Sequence, residues 1–287
     1  MSRSNPNPNP NPSPSPSRNP HRDWRRRLYD TRRAVRDEVA ARLARPHRRP
    51  VFILGMQKSG TSAIAGLLGL RTGLPTTIDL ERDWRGTTVD TAGRDAAAFD
   101  RFVRRNAVDF ARPIVKEPNL TFLVDRLRER WPESALVFVV RDPAQTVRSI
   151  LDRLDLPGDL DAFPPDRLAA IPPAWRVVLD NRWIGVHADH PIESLAGRWR
   201  VAAEIAMNAG EDTMLVRYED FTANKADEID RIALHLGLER RADITAALDR
   251  PFQPPGRPRA VEEVFGSNLQ RIRRVVAPVA AELGYDA

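Results

Sequence analysis

The sequence contains no cysteine, only three lysines and no long apolar run. Without cysteine, neither a disulfide framework nor a thiolate metal site can form. The absence of about 20 consecutive apolar residues predicts that no helix spans a membrane. The amino-terminal residues also lack the apolar segment of a secretory signal. We therefore expect a cytoplasmic protein.

Positive charge is concentrated near the amino terminus, although the net charge of the whole chain is +6. Residues 1–50 hold 13 of the 45 Lys and Arg residues but only 4 of the 39 Asp and Glu residues. Residues 51–287 therefore carry 32 basic against 35 acidic residues. This distribution disfavours a nucleic-acid-binding surface, and we expect no nucleic-acid partner.

The composition divides the chain into a tail and a main domain. Residues 1–20 are an Asn-Pro and Ser-Pro repeat, which we predict to be disordered because it has little apolar surface to bury. Residues 21–49 are rich in arginine, with apolar residues at loosely helical spacing, and predict a basic helix that ends before Pro46. We favour a solvated helix there, with at most weak contact to an anionic surface. Residues 50–287 form the main domain.

Short apolar runs alternate with helical patterns in this domain. Buried strands are predicted at residues 51–55, 113–117, 135–140 and 213–218, and helices at residues 62–70, 95–110, 120–130, 144–154 and 191–210. This alternation predicts an α/β fold, a doubly wound parallel sheet flanked by helices. The Pro-rich stretch at residues 156–175 interrupts the pattern, and we interpret it as a loop that covers a ligand.

The stretch PVFILGMQKSGTSAIAGLLG (residues 50–69) is typical of a phosphate-binding loop between a strand and a helix. Gly55 and Gly60 allow a tight turn, and Thr61 and Ser62 offer hydroxyl donors at the helix start. Lys58, however, precedes the second glycine, whereas a Walker A lysine directly follows it. The sequence thus predicts a P-loop-type sheet whose lysine is placed differently from that of an ATPase.

A second motif, ALVFVVRDPAQTVRSIL (residues 135–151), carries an arginine at the end of a strand. Arg141 follows the apolar run, Pro143 begins the next helix, and Ser149 lies two turns into that helix. The carboxyl end of a central strand is where ligands bind in such sheets, and a planar guanidinium suits phosphate.

Together these motifs resemble the sulfotransferases that use 3′-phosphoadenosine-5′-phosphosulfate (PAPS), particularly the bacterial and carbohydrate-acting members. GMQKSGTS resembles their 5′-phosphosulfate loop, and VVRDPAQTVRSI their 3′-phosphate motif. LVRYEDF (215–221), IDRIALHLGL (229–238) and NLQRIRRVVAPVAAELGY (268–285) match further family segments in the family's order. The resemblance covers about residues 50–285 and identifies a sulfotransferase domain at residues 50–287.

The resemblance implies how the chain would hold PAPS. Lys58 would contact the oxygen that bridges phosphate and sulfate, Thr61 and Ser62 the 5′-phosphate, and Arg141 and Ser149 the 3′-phosphate. The donor lacks a triphosphate and the chain lacks a convincing Walker B carboxylate, so no metal is predicted. The predicted cofactor-binding residues are Gly55, Gln57, Lys58, Ser59, Gly60, Thr61, Ser62, Arg141, Ser149 and, on a late loop shared with Arg259, Arg257.

The resemblance leaves the general base open. Carbohydrate-acting relatives place a glutamate about twenty residues after the loop lysine, where TIDLERDW offers Glu81 as first choice and Asp79 as second. Cytosolic relatives use a histidine, but His187 and His190 do not match its position and are interpreted as loop residues. Lys116, at the end of the second predicted strand, is predicted to assist Lys58 on the sulfate.

The sequence thus predicts sulfuryl transfer from PAPS to a hydroxyl, or as second choice an amine, of a small-molecule, glycan or lipid acceptor. Two alternatives stay open. One is a P-loop kinase for a small molecule, which the position of Lys58 disfavours. The other is a non-catalytic nucleotide-binding module that associates with membranes through its basic tail.

Overall fold

The computed structural model describes residues 44–80, 88–250, 252 and 259–286. Ala44–Ala287 cluster as one compact unit. The predictions for residues 1–43, a disordered repeat followed by a basic helix, lie outside the described residues. Within them, no helix is long and apolar enough to cross a membrane.

A five-stranded parallel sheet forms the centre of this unit. Its strands are β1 (Val51–Gly55), β2 (Thr76–Ile78), β3 (Ile114–Lys116), β4 (Ala135–Val140) and β5 (Met214–Arg217). The spatial order is β2-β3-β1-β4-β5, and every neighbouring pair is parallel. Val51 pairs with Ile114 on one side and with Ala135 on the other.

Helices and short turns connect the strands. The helices are α1 (Thr61–Thr72), α2 (Val89–Ala92), α3 (Ala96–Arg105), α4 (Ala107–Phe110), α5 (Val124–Arg130), α6 (Pro143–Leu154), α7 (Pro165–Ala170), α8 (Pro173–Leu179), α9 (Pro191–Met207), α10 (Tyr218–Ala223), α11 (Lys225–His235), α12 (Val261–Phe265) and α13 (Asn268–Ala280). Short 3₁₀ helices occupy Pro118–Leu123, Arg182–Ile184, Thr245–Ala247 and Ala281–Leu283.

Both faces of the sheet are buried, which explains why the strands read as continuous apolar runs. In β1, Phe52 and Leu54 pack into the larger core with residues of α3, α5, α6, α9 and α13. Val51 and Ile53 point the other way and pack into the second core with residues of α1 and α11. Successive side chains of a strand alternate between faces, so this arrangement confirms the predicted doubly wound sheet.

Most predicted elements are present, and three predictions need correction. β2 was missed because it has only three residues and two of them are threonine. The predicted helix at residues 95–110 divides at Asn106, whose side-chain amide donates to the Phe102 carbonyl and ends α3. The predicted loop at residues 156–175 contains α7 and the start of α8, both beginning at a proline.

The strand order sets where a ligand would bind. From β1 the chain moves toward the β2 edge of the sheet, whereas from β4 it moves toward β5. Because β1 and β4 are neighbours, their connections leave in opposite directions and open a crevice at the carboxyl edge. The glycine loop and Arg141 both begin at this crevice.

Candidate active site

The loop after β1 is shaped by two glycines that lie close to neighbouring elements. Gly55 has φ of 134°, and a Cβ there would collide with the carbonyl oxygen of Val139 on β4. Gly60 has φ of 96°, and a Cβ there would meet the ring of Tyr218. The Gly55 amide also donates to Thr121 Oγ1 at 2.7 Å. Neither position accommodates a side chain, which accounts for both glycines in the motif.

Lys58 lies on this loop in an unusual and electropositive environment. Its φ of 71° is in the left-handed region, and its side chain is half-buried. Burial lowers the pKa of Lys58, and the charges of Arg153, Arg141 and Lys116 lower it further, against the opposing effect of Asp152. These four cations, called here the cation cluster, create a site that an anion would stabilise.

Arg141 joins the second motif to the loop. Its Nη1 donates to the carbonyl oxygen of Lys58 at 3.0 Å, and its Cζ lies 4.6 Å from the centre of the Tyr218 ring. Trp199 is buried in the larger core, and its Nε1 donates to the Arg141 carbonyl at 2.8 Å. Burial lowers the pKa of Arg141. The structure therefore brings Lys58 and Arg141 together.

Helix α6 begins after Arg141 and carries Ser149 and Arg153. Asp142 Oδ1 accepts from the Gln145 amide at 2.7 Å, and Pro143 occupies the first turn, as the sequence predicted. Ser149 is half-buried on this helix, and Arg153 of the cation cluster follows it by four residues. Arg153 was not predicted, although residues four apart share one face of a helix.

Lys116 and Asp79, two predicted catalytic residues, form an ion pair where β2 and β3 end. Lys116 is buried, while Asp79 is partly exposed and has φ of 64°. The Asp79 amide donates to the Lys116 carbonyl at 2.8 Å, which continues the pairing of the two strands. Through its effect on the pKa of Lys58, Lys116 also belongs to the cation cluster.

Glu117 is a buried carboxyl group beside this pair. Its oxygens accept from the amides of Asn119 at 3.0 Å and Leu80 at 3.3 Å. Burial and the negative charge of Asp79 raise the pKa of Glu117 to about 7, although Lys116 and the two amides oppose the shift. The fold therefore retains a proton on Glu117 at a pH where an exposed glutamate has lost it.

This retained proton predicts a specific pH dependence of stability. Between the ordinary pKa of 4.5 and about 7 the folded chain holds a proton that the unfolded chain has lost. The free energy of unfolding should therefore fall as pH rises through this window, by at most roughly 3 kcal/mol from this group. Glu117→Gln removes the titration, so urea unfolding at pH 5 and pH 8 should show a smaller difference than in the wild type. Exposed Glu282→Gln is the control, and an unchanged difference in the Glu117 variant would contradict the prediction.

The other predicted residues of the loop and of the first turn of α1 are buried. Ser59 is buried, and its Oγ has no hydrogen-bond partner among the described residues. Thr61 and Ser62 are buried in the first turn of α1. Gln57 is buried in a polar network with Asn119 and with Arg198, a residue that the sequence analysis missed. An unpaired buried hydroxyl such as that of Ser59 is unusual in a folded protein, and an anion in the loop would supply its partner.

The remaining candidates are elsewhere or outside the described residues. His187 is exposed, and His190 accepts from the Ile192 amide at the start of α9. Glu81 and Arg257 lie outside the described residues, as does Asp83 in the same stretch as Glu81. Arg259 forms a 3.0 Å hydrogen bond with Asp152, and its carbonyl accepts from Arg148. No group of three His, Asp or Glu residues that could hold a metal occurs among residues 44–80, 88–250, 252 and 259–286.

Solved structures with this fold show what the chain is similar to. No protein-family model and no curated protein matches it. The sulfotransferase domain from the curacin biosynthetic pathway aligns with 84% of this chain and 99% of its own, at 14% identity and a TM-score of 0.51. Sulfotransferase STF9 from Mycobacterium avium aligns with 89% of this chain and 81% of its own length, at 13% identity and a TM-score of 0.53. The resemblance predicted from the motifs is confirmed at the level of the fold: this chain has the fold of the sulfotransferases.

Proposed function

We propose that this protein transfers a sulfuryl group from PAPS to a hydroxyl, or as second choice an amine, of a small-molecule, glycan or lipid acceptor. The observation that carries the proposal is the cation cluster at the glycine loop, where Arg141 Nη1 donates to the Lys58 carbonyl at 3.0 Å and the charges of Arg153, Arg141 and Lys116 add to burial in lowering the pKa of Lys58. Such a concentration of positive charge suits a co-substrate with a phosphosulfate at one end and a phosphate on its ribose. The orphaned Ser59 hydroxyl fits the same ligand.

Each residue would have a distinct role in holding PAPS, which supplies an activated sulfuryl group when bound. The loop from Gly55 to Gly60, with Thr61 and Ser62, would hold the 5′-phosphate at the start of α1. Arg141 and Ser149 would hold the 3′-phosphate, with Arg257 as a further candidate. Lys58, supported by Lys116, would neutralise the charge that develops on the oxygen between phosphate and sulfate.

The chemistry needs in-line placement and charge stabilisation more than a covalent intermediate. The acceptor oxygen bonds to sulfur while the bond from sulfur to the 5′-phosphate oxygen breaks, and the acceptor's proton passes to a carboxylate. Glu81 stays the first choice for this base. Asp79 is the described alternative, because its partly exposed carboxylate lies beside Lys116 at the carboxyl edge of the sheet.

A comparison of nucleotides tests the proposal. Phosphoadenosine phosphate, the product of transfer from PAPS, should raise the melting temperature more than ADP or ATP–Mg at equal concentration, because only it engages Arg141 through a 3′-phosphate. Transfer from PAPS should also persist in excess chelator. Preferential stabilisation by ATP–Mg together with a strict metal requirement would instead support a kinase. Binding without transfer to any acceptor class would support a non-catalytic module.

A further inference from the structure

Arg198 is a fully buried arginine in the middle of α9. It donates to Gln57 Oε1 at 3.2 Å, Asn119 Oδ1 at 2.7 Å, Asn181 Oδ1 at 2.8 Å and the Val177 carbonyl at 3.3 Å. All four acceptors are neutral. Burial lowers its pKa to about 9, although the charge of Glu117 opposes the shift. A buried arginine is costly, so this one calls for a specific role.

The acceptors of Arg198 belong to three separate segments, and its guanidinium contacts all three. Gln57 lies on the phosphate-binding loop, and Asn119 lies in the turn that follows β3. Val177 and Asn181 lie in residues 173–184, called here the cover segment, which runs from the start of α8 to the end of the next 3₁₀ turn. Nε faces the loop, Nη2 the turn and Nη1 the cover segment. A lysine ammonium, being a point donor, could not span this fork.

The network reaches both lysines of the cation cluster. Gln57 precedes Lys58, and its Nε2 also donates to Asn119 Oδ1 at 2.8 Å. The Asn119 amide donates to Glu117, which follows Lys116. The Arg198 guanidinium therefore bonds directly to Gln57, the neighbour of Lys58. It reaches Glu117, the neighbour of Lys116, through Asn119.

The cover segment contacts one member of the cation cluster, Arg153, through Trp175. The Cζ of Arg153 lies 5.9 Å from the centre of the Trp175 ring. The rings of Phe122 and Trp183 lie 4.3 and 5.7 Å from the Arg198 Cζ, and they shield it from water. Asn181 is held in turn by its bonds to Ser194 on α9. A shift of the cover segment would therefore remove acceptors from Arg198 while its bonds to the loop remain.

We propose that Arg198 is a positioning residue that couples the cover segment to the phosphate-binding loop, so that the loop binds a nucleotide tightly only while the cover segment is in place. The inference deepens the proposed function and rests on it for the identity of the nucleotide. It gives the chain a means to link nucleotide binding to whatever acceptor the cover segment contacts, because such coupling is reciprocal.

Calorimetric titration with phosphoadenosine phosphate tests the coupling. Arg198→Met and Arg198→Lys should both weaken binding, and Asn181→Ala should do so although Asn181 does not touch the loop; the expected losses are roughly 2- to 30-fold. Arg200→Met is the matched control, because Arg200 lies on the same helix and pairs with Glu204. Its affinity should equal that of the wild type.

The three lysines of the chain allow a second readout that a merely structural role would not change. Reductive methylation with ¹³C-formaldehyde labels lysine amines and keeps their charge. In Arg198→Met the NMR signal of Lys58 should move. The signal of Lys225, which begins α11 and donates to the Leu248 carbonyl, should not. Melting temperatures of all variants identify any general loss of stability.

Variants with lower melting temperatures but wild-type nucleotide affinity and an unmoved Lys58 signal would overturn the proposal and leave Arg198 a structural residue. If Arg198→Met does not fold, Asn181→Ala decides by the same criteria, because it leaves Arg198 and Gln57 in place. If the wild type prefers ATP–Mg to phosphoadenosine phosphate, the proposed function fails. The coupling is then tested with ATP–Mg on the same variants.

Discussion

Lys58→Ala is expected to lower kcat for sulfuryl transfer by about 100- to 1,000-fold or more, the range seen when one stabilising donor is removed from a transition state. The lysine lies on the loop at the crevice and would neutralise charge on the leaving oxygen. Since that charge develops mainly in the transition state, kcat should fall more than the affinity for PAPS. Steady-state kinetics with varied PAPS would separate the two effects.

The same substitution should not destabilise the fold. Burial lowers the pKa of Lys58, and the charges of Arg153, Arg141 and Lys116 lower it further. Removing its charge relieves repulsion, so the melting temperature of Lys58→Ala without ligand should equal or exceed that of the wild type. A residue kept at a cost to stability is typical of a functional site.

Lys225→Ala is the matched control for Lys58→Ala. Lys225 begins α11, donates to the Leu248 carbonyl at 2.7 Å and lies near Asp249, away from the cation cluster. Its replacement should leave kcat unchanged. Wild-type turnover by Lys58→Ala would exclude the lysine from the reaction, whatever happens to stability.

The sequence predicted the parts of the fold that follow from local burial. The strands at 51–55 and 135–140 are apolar throughout because both of their faces are covered, and the glycine loop is recognisable because Gly55 and Gly60 have no room for a side chain. β2 could not be predicted in this way. Its three residues include two threonines, and it is a strand only because β3 supplies the hydrogen bonds.

The residues that the sequence did not reveal are those whose roles depend on distant partners. Arg198 looks like an ordinary polar position in a helix, and only the folded chain brings Gln57, Asn119 and Asn181 around it. Arg153 lies on the exposed side of α6, where an arginine by itself indicates a solvated face. Glu117 is similar, since its raised pKa depends on burial and on Asp79, which follows the separate strand β2.

Arg141→Ala is expected to weaken binding of phosphoadenosine phosphate by about 10- to 100-fold, because a charge-assisted hydrogen bond contributes about 1.5–3 kcal/mol. Adenosine 5′-phosphate differs from that nucleotide only in lacking the 3′-phosphate, and its affinity should fall much less. Arg141→Lys, which keeps the charge but not the planar fork, should give an intermediate loss. Titration of both nucleotides against each variant measures the ratio of their losses of affinity.

The ratio matters because Arg141 has a second contact that could also affect binding. Its Nη1 donates to the Lys58 carbonyl, so the substitution also removes a support of the loop. A loosened loop would weaken both nucleotides equally, since both carry the 5′-phosphate, whereas loss of a 3′-phosphate contact weakens only one. Arg217→Ala is the matched control: this arginine ends the neighbouring strand β5 but stacks on Tyr285 and bonds to the Gly284 carbonyl. Equal losses for the two nucleotides in Arg141→Ala would assign Arg141 to support of the loop and leave the 3′-phosphate to other residues.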